Sequence, residues 1–199
     1  MTENTARFEA AIDAIDAANA EDPNTDLYEG REFPKELLYA IRMTEWLERF
    51  KPKASEALRL AARAQHIRRW EIARSDYPQG RIGYLKWRTD LKHFHAGLAE
   101  KILREAGYDD ALIGRVQALI RKERLKQDKE AQALEDVICL VFLENYFAEF
   151  SEKHEEEKVI DIVQKTWKKM SSAAQKTALR LDLSPTARAL VKKAVQPSG

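Results

Sequence analysis

Several residue types are scarce in this chain of 199 residues. It has one cysteine, Cys139, which rules out an internal disulfide framework. Seven glycines and six prolines are few, as is typical of helices joined by short turns. The longest apolar run, residues 137–143, is too short to cross a bilayer, and the chain does not open on a basic-then-apolar signal. We therefore expect a cytoplasmic protein that has no membrane partner.

Several familiar site motifs are missing as well. The sequence has no glycine-rich phosphate loop and no serine nucleophile elbow. It also lacks the Glu-x-x-His motif of di-metal bundles, and the nearest pattern, Asp90 to His93, occurs once. Cys139 lies inside the apolar run, where we expect a buried and inert thiol.

What the sequence does contain indicates one all-α domain over residues 1–199, with about seven or eight helices. Hydrophobic residues make up 44% and charged residues 34% of the chain, which is typical of a globular protein. Apolar residues recur at helical spacing, and no strand-like alternation is present. The predicted helices cover residues 5–19, 34–50, 55–74, 83–106, 110–122 and 131–150. One more helix is predicted to begin at the acidic cluster of Glu152, Glu155, Glu156 and Glu157, and a short last one begins at Ser184-Pro185; residues 24–33 are predicted as a loop.

Three polar residues fall on apolar helix faces. His66 is in phase with Leu58, Ala62 and Trp70; His95 is in phase with Leu91, Leu98 and Ile102; and Asp136 precedes Leu140 and Leu143. A buried imidazole or carboxylate is costly unless it is paired or bound. Imidazole and carboxylate together predict a divalent metal, Mn, Fe, Co or Ni. The alternative is that each histidine bonds a backbone carbonyl, and the helix phase leaves open whether His93 or His95 faces inward.

A basic and aromatic segment is the second candidate site. Residues 53–92 hold ten Lys or Arg against four Asp or Glu, and such a local excess favours phosphate-bearing partners. Arginine offers forked contacts that fit phosphate, and aromatic rings stack on bases. The alternative is that the tryptophans are core residues and the arginines pair with Glu36, Glu71 or Asp90. The predicted ligand-binding residues are Arg68, Arg69, Arg81, Arg88, Lys122, Tyr84 and Trp87, with Trp70 beside them.

The order of these features resembles the HD-domain phosphohydrolases. The likeness rests on His66, on the His95 helix followed by residues 101–108, on residues 116–122 and on Leu134-Glu-Asp136, and it implies an HD-like core of roughly residues 54–150. In that superfamily histidines, a His-Asp dyad and a last Asp hold metals, so the resemblance implies His66, His95 and Asp136 as ligands. The chain has no His-Asp pair, and Lys122 occupies the place of a further histidine. The resemblance therefore concerns fold and helix order.

A closer resemblance covers nearly the full chain. Residues 63–70, 83–88 and 134–144 are similar to an uncharacterised family described only as a domain of unknown function. That family carries no established activity, so this resemblance implies none.

These features lead to one main hypothesis and two alternatives. We expect an HD-like protein that binds a phosphorylated small molecule, in the first instance a nucleotide. If it is an enzyme, it is a phosphohydrolase in which His66 and Asp136 hold a metal, or in which Glu135 or Asp136 acts as the general base. The alternatives are a non-catalytic, degenerate HD domain and a nucleic-acid-binding helical module. The net charge of +1 counts against the last of these.

Overall fold

The structure of the protein is a computed structural model that describes residues 3–196. Its contacts divide the chain into two compact units, Met1–Glu130 and Ala131–Gly199. The all-α class is confirmed, since the part described is helical apart from one two-stranded sheet. The prediction of a single domain over residues 1–199 stays a prediction. Within the described residues, no helix is long and apolar enough to cross a membrane.

The first unit contains five helices and a β-hairpin within its described part. Its core lies where α3, α4 and α5 pack together, and the side chains there are aliphatic and fully buried, including Leu60, Ala61, Ala96, Leu103 and Val116. The elements are α1 (Glu3–Ala20), β1 (Thr25–Tyr28), β2 (Arg31–Pro34), α2 (Lys35–Phe50), α3 (Glu56–Arg63), α4 (Gly80–Glu105) and α5 (Asp110–Arg121).

The hairpin was not predicted, and the loop expected at residues 24–33 is wrong. Strands β1 and β2 pair antiparallel from Thr25 opposite Pro34 to Tyr28 opposite Arg31. Residues Glu29 and Gly30 both have positive φ, 50° and 76°, as a two-residue hairpin turn requires. The strands are short and mostly exposed, so they have no apolar face that would produce an alternating pattern.

Helix α2 begins where Pro34 predicted, but its first turn is capped by another segment. Proline offers no side-chain acceptor at the N-cap. The carboxylate of Asp22 accepts hydrogen bonds instead, from the Asn24 N–H at 2.9 Å and from the Glu36 N–H at 3.0 Å. Because these bonds tie the chain after α1 to the first turn of α2, they fix the position of Glu36.

The helix predicted for residues 55–74 is wrong beyond Arg63. Ser55 caps α3 by accepting from the Leu58 N–H, and α3 ends at Arg63. Turns follow as far as Arg68, whose φ is 50° and whose N–H donates to the Asn19 side chain at 3.0 Å. That left-handed residue cannot continue an α-helix. Two short 3-10 turns, residues 69–71 and 74–76, then lead to α4.

The regular elements among the described residues of the second unit are all helices, joined by short turns. Helix α6 ends at Asn145 rather than near residue 150, because Tyr146 leaves the helical conformation with φ −124° before α7 begins. As predicted, Glu155, Glu156 and Glu157 open α8, although Glu152 ends α7 instead. Ser184 caps α10 by accepting from the Ala187 N–H, also as predicted. The elements are α6 (Lys129–Asn145, which starts at the end of the first unit), α7 (Phe147–Glu152), α8 (Glu156–Trp167), α9 (Ser172–Ala178) and α10 (Pro185–Val195).

Candidate functional site

The first unit contains a cluster of ionisable side chains around His66. The Nδ1 atom of His66 lies 3.4 Å from Oε2 of Glu36, and its Nε2 atom lies 3.5 Å from Nη1 of Arg69. The Nε atom of Arg69 lies 3.9 Å from Oε1 of Glu36. Three residues from α2 and from the turns after α3 therefore meet through their polar atoms.

The contacts of His66 fix its tautomer and its orientation. A guanidinium can only donate, so Nε2 of His66 must be the unprotonated, accepting nitrogen. The ring proton of the neutral imidazole then lies on Nδ1, where it points to the Glu36 carboxylate. The ring also stacks on Tyr39, with centroids 4.1 Å apart and planes 11° apart. The Glu36 carboxylate and the stacked Tyr39 ring together orient His66 so that its Nε2 lone pair faces Arg69.

His95 is the inward-facing histidine of α4, while His93 is exposed. Its ring is 2% exposed, lies 5.9 Å from the His66 ring, and places Nδ1 2.8 Å from the carbonyl oxygen of Ile67. A carbonyl only accepts, so Nδ1 donates and Nε2 carries a lone pair. That Nε2 atom is buried and has no hydrogen-bond partner among the described residues. A buried acceptor without a donor is unusual in folded proteins.

Burial and neighbouring charges keep both histidines neutral. Burial lowers the pKa of His66 well below its usual value, and the positive charges of Arg69, Lys122 and Arg88 lower it further. Burial lowers the pKa of His95 to about 3. Burial raises the pKa of Glu36 to about 7, although Arg69 opposes that shift. Three cations therefore act on the His66 ring, and Glu36, the carboxylate that contacts this ring, is only partly charged near neutral pH.

The cations lie on three different segments. Arg69 places its guanidinium 4.8 Å from the ring centroid of Trp87, and Arg88 donates to the Tyr84 hydroxyl at 3.2 Å. Lys122 follows α5 with a φ of 59°, which turns the chain at the end of that helix. We refer to Glu36, His66, Arg69, Arg88, His95 and Lys122 as the His66 cluster.

Close packing against α4 holds the segment that carries Arg69. The Trp87 indole N–H donates to the carbonyl of Ile72 at 2.9 Å, and the Tyr77 hydroxyl donates to Asp90 at 2.9 Å. A Cβ atom on Gly83 would lie 1.9 Å from the carbonyl oxygen of Pro78. Only glycine permits this approach, so Gly83 sets the distance between α4 and the segment before it.

The structure brings part of the predicted ligand-binding set together. Arg68 instead forms ion pairs with Glu21 and Glu71, and Arg81 is exposed. In the alternative interpretation the arginines pair with acidic residues. This applies to Arg68, which pairs with Glu71, and to Arg69, whose Nε atom lies 3.9 Å from Glu36. The predicted residues found at the cluster are His66, His95, Arg69, Arg88, Lys122 and Trp87, with Tyr84 beside Trp87.

Asp136 and Glu135 lie in the second unit and have partners there. The Asp136 carboxylate accepts from the Ser171 N–H at 2.7 Å, the Ser171 hydroxyl at 2.6 Å and the Gln132 amide at 2.9 Å. Glu135 is buried, with one oxygen 4.0 Å from the Lys169 ammonium. Across residues 3–196, no three His, Cys, Asp or Glu side chains form a group that could hold a metal ion. Asp136 thus serves as the anchor of the α9 N-terminus.

The sequence predicts Glu36 only as a partner of the arginines, in the alternative interpretation, and does not place it at the site. The helical spacing does indicate that Glu36 faces inward, because it shares a helix face with Tyr39, Ala40 and Met43, which are all buried. A carboxylate in phase with buried residues indicates a group that is paired or functional.

Comparison with known proteins gives one match. The model of a family described as a domain of unknown function (DUF4202) matches residues 9–191, nearly the whole chain. Neither the curated proteins nor the solved structures contain a match. The matched range includes every residue of the His66 cluster.

Proposed function

The chain belongs to the family described as a domain of unknown function (DUF4202), and we propose that it binds a phosphorylated small molecule at the His66 cluster. One observation carries the proposal: the Arg69 guanidinium lies 3.5 Å from Nε2 of His66 and 3.9 Å from Glu36, beside an imidazole on which the charges of Arg88 and Lys122 also act. Positive charge collected in this way favours an anion with several oxygens.

Two further features support a bound ligand over a purely structural cluster. The buried Nε2 atom of His95 has no donor, and a ligand hydroxyl or a bound water would supply one. Arg69 is 28% exposed, and His66 is 23% exposed, so part of the surface of both side chains faces solvent. Trp87 and Tyr84 offer aromatic surface beside it for a base or another flat group.

Calorimetry with AMP, ATP and inorganic pyrophosphate tests the proposal. We expect at least one of these probes to bind, and Lys122→Gln to weaken that binding by about tenfold or more, because a charge-assisted contact is lost. The matched control is Arg124→Gln. Arg124 is also a cation with a left-handed φ, 51°, but it is exposed.

The comparison of the two variants decides the outcome. Binding that falls in Lys122→Gln and holds in Arg124→Gln supports a site at the cluster. Equal losses in both variants, or no binding of any probe by the wild type, would contradict the proposal.

A further inference from the structure

We propose that the Nε2 atom of His66 accepts a phosphoryl group from a phosphoric anhydride bound in the cluster, which makes His66 a nucleophile and Glu36 its positioning residue. This inference rests on the proposed function, because it assigns a reaction to the same site. It concerns a covalent step and requires no metal ion.

The geometry around His66 is what a nitrogen nucleophile needs. Its Nε2 lone pair is directed at Arg69 Nη1, 3.5 Å away, while Nδ1 faces Glu36 Oε2 at 3.4 Å. Tyr39, stacked 4.1 Å from the ring, prevents the imidazole from tilting. A phosphoryl oxygen bound to Arg69 would therefore place the phosphorus atom next to a lone pair that is already aligned.

The neighbouring charges suit the transfer. Arg69 contacts His66, and the charges of Arg88 and Lys122 act on the same ring. Cations stabilise the charge on the equatorial oxygens of a phosphoryl group in transit. These same cations stabilise a departing oxyanion without supplying a proton. They consequently favour a donor whose leaving group departs as a stable anion, such as a phosphate or a carboxylate, over a simple alkyl phosphate.

The step balances as a substitution at phosphorus. The His66 Nε2 lone pair forms the N–P bond, the P–O bond of the anhydride breaks, and its electron pair leaves with the phosphate or carboxylate. The proton on Nδ1 stays within its contact to Glu36, whose carboxylate offsets the positive charge that the ring acquires. Water later cleaves the N–P bond, or a second acceptor takes the phosphoryl group.

His66 is the histidine suited to this role. The chain has four histidines. His95 is 2% exposed and out of reach, whereas the His66 side chain is 23% exposed. His93 lies exposed on the solvent side of α4, and the Glu36 and Tyr39 contacts belong to His66. His93 therefore provides a matched comparison for simple chemical reactivity.

The test incubates the intact protein with acetyl phosphate or ATP and locates any added phosphoryl group by mass spectrometry of peptides. We expect an acid-labile, base-stable phosphoryl group on His66 of the wild type, unchanged labelling in His93→Ala, and labelling that is slower by at least about tenfold in Glu36→Gln. AMP, which has no anhydride bond, should leave the protein unlabelled.

Because the label is mapped on the wild type, the test does not depend on the folding of a His66 variant. A label on His93, on His154 or on a carboxylate, or no label while calorimetry still shows ATP binding, would overturn this inference and leave the proposed binding function intact. Absence of both binding and label would remove both proposals.

Discussion

At the scale of single residues, Glu36 decides the chemistry of the cluster. Its carboxylate is 10% exposed and contacts both His66 and Arg69, yet burial outweighs the attraction of Arg69 and raises its pKa to about 7. The cost of removing a charge from water exceeds the gain from one cation at 3.9 Å. Glu36 therefore changes charge near neutral pH, which makes it the titrating member of the cluster.

Glu36 gives a prediction for stability against pH. A raised pKa in the folded state means that the stability contribution of Glu36 is complete below pH 4.5 and is lost as the pH rises to about 7. We expect the free energy of unfolding of the wild type to fall by about 3 kcal/mol across this range relative to that of Glu36→Gln. Urea denaturation at both ends of the range measures the difference.

The control for that measurement lies on the same helix. Glu45 is exposed on α2, so Glu45→Gln removes one negative charge without touching the cluster. If wild type and Glu36→Gln lose stability in parallel as the pH rises, Glu36 is not kept protonated by burial.

At the scale of elements, the site depends on how closely α4 approaches the segment before it. Residues 69–78 contact α4 through the indole of Trp87, the hydroxyl of Tyr77 and the bare Cα of Gly83. Arg69 lies at the start of this segment and Arg88 on α4. Movement of this segment against α4 would therefore separate Arg69 from Arg88.

Replacement of Gly83 tests this dependence. A methyl group in Gly83→Ala would meet the Pro78 carbonyl oxygen at 1.9 Å, and relief of that clash costs about 1–3 kcal/mol. We expect lower stability in chemical denaturation and weaker binding of the phosphate probes. Gly97→Ala on the same helix has open space and should stabilise the protein by up to about 1 kcal/mol. Similar effects of both substitutions would contradict the close-approach argument.

Asp136 illustrates a buried carboxylate with a structural role. It accepts three hydrogen bonds, two of them from Ser171, which itself caps α9. A carboxylate with three donors needs no metal to be stable in a protein interior. The interactions seen for Asp136 are therefore those of a residue that holds a helix terminus.

Asp136→Ala should destabilise the second unit and expose α9. We expect a loss of about 1–3 kcal/mol, because Ser171 and Gln132 lose their acceptor, and faster amide hydrogen exchange over residues 171–178. Asp161→Ala is the control, since Asp161 is exposed and pairs with Lys165 only at the surface. Unchanged exchange in α9 would show that the Asp136 anchor is dispensable.

At the scale of the whole molecule, charge is balanced overall and concentrated locally. The net charge is +1, although residues 53–92 are strongly basic. Some of that excess is neutralised within the fold, since Arg63 pairs with Asp16 and Arg68 with Glu21 and Glu71. Arg69 and Arg88 bring part of the remaining positive charge to the His66 cluster, whereas Arg81 and Lys86 are exposed. This distribution suits a small anion better than a long polyanion.

The charge distribution predicts weak binding to nucleic acids. In fluorescence anisotropy at physiological salt, we expect dissociation constants of about 10⁻⁴ M or weaker for single-stranded and duplex oligonucleotides, without sequence preference. Micromolar binding that falls steeply as salt is added would favour the nucleic-acid alternative instead.

The sequence by itself determined the helical class and the sites of several helix starts, while the choice between His93 and His95 as the inward histidine came from the structure. Apolar spacing and capping residues such as Ser55, Asp109 and Ser184 act locally, so they can be recognised without knowledge of the fold. The HD-like architecture and the functional roles of His66, Asp136 and the arginines remain predictions from the sequence.

Only the tertiary structure decided which polar groups meet. Glu36 lies beside His66 on a helix whose first turn is capped by Asp22, and the turns after α3 are held by the bond from the Arg68 N–H to the Asn19 side chain. The hairpin, too, lacked an apolar face that a pattern would reveal. In each case the deciding interaction joins residues far apart in sequence or leaves no periodic signal. Local sequence preferences do not reveal such interactions, because they contribute to stability only when the folded chain brings the residues together.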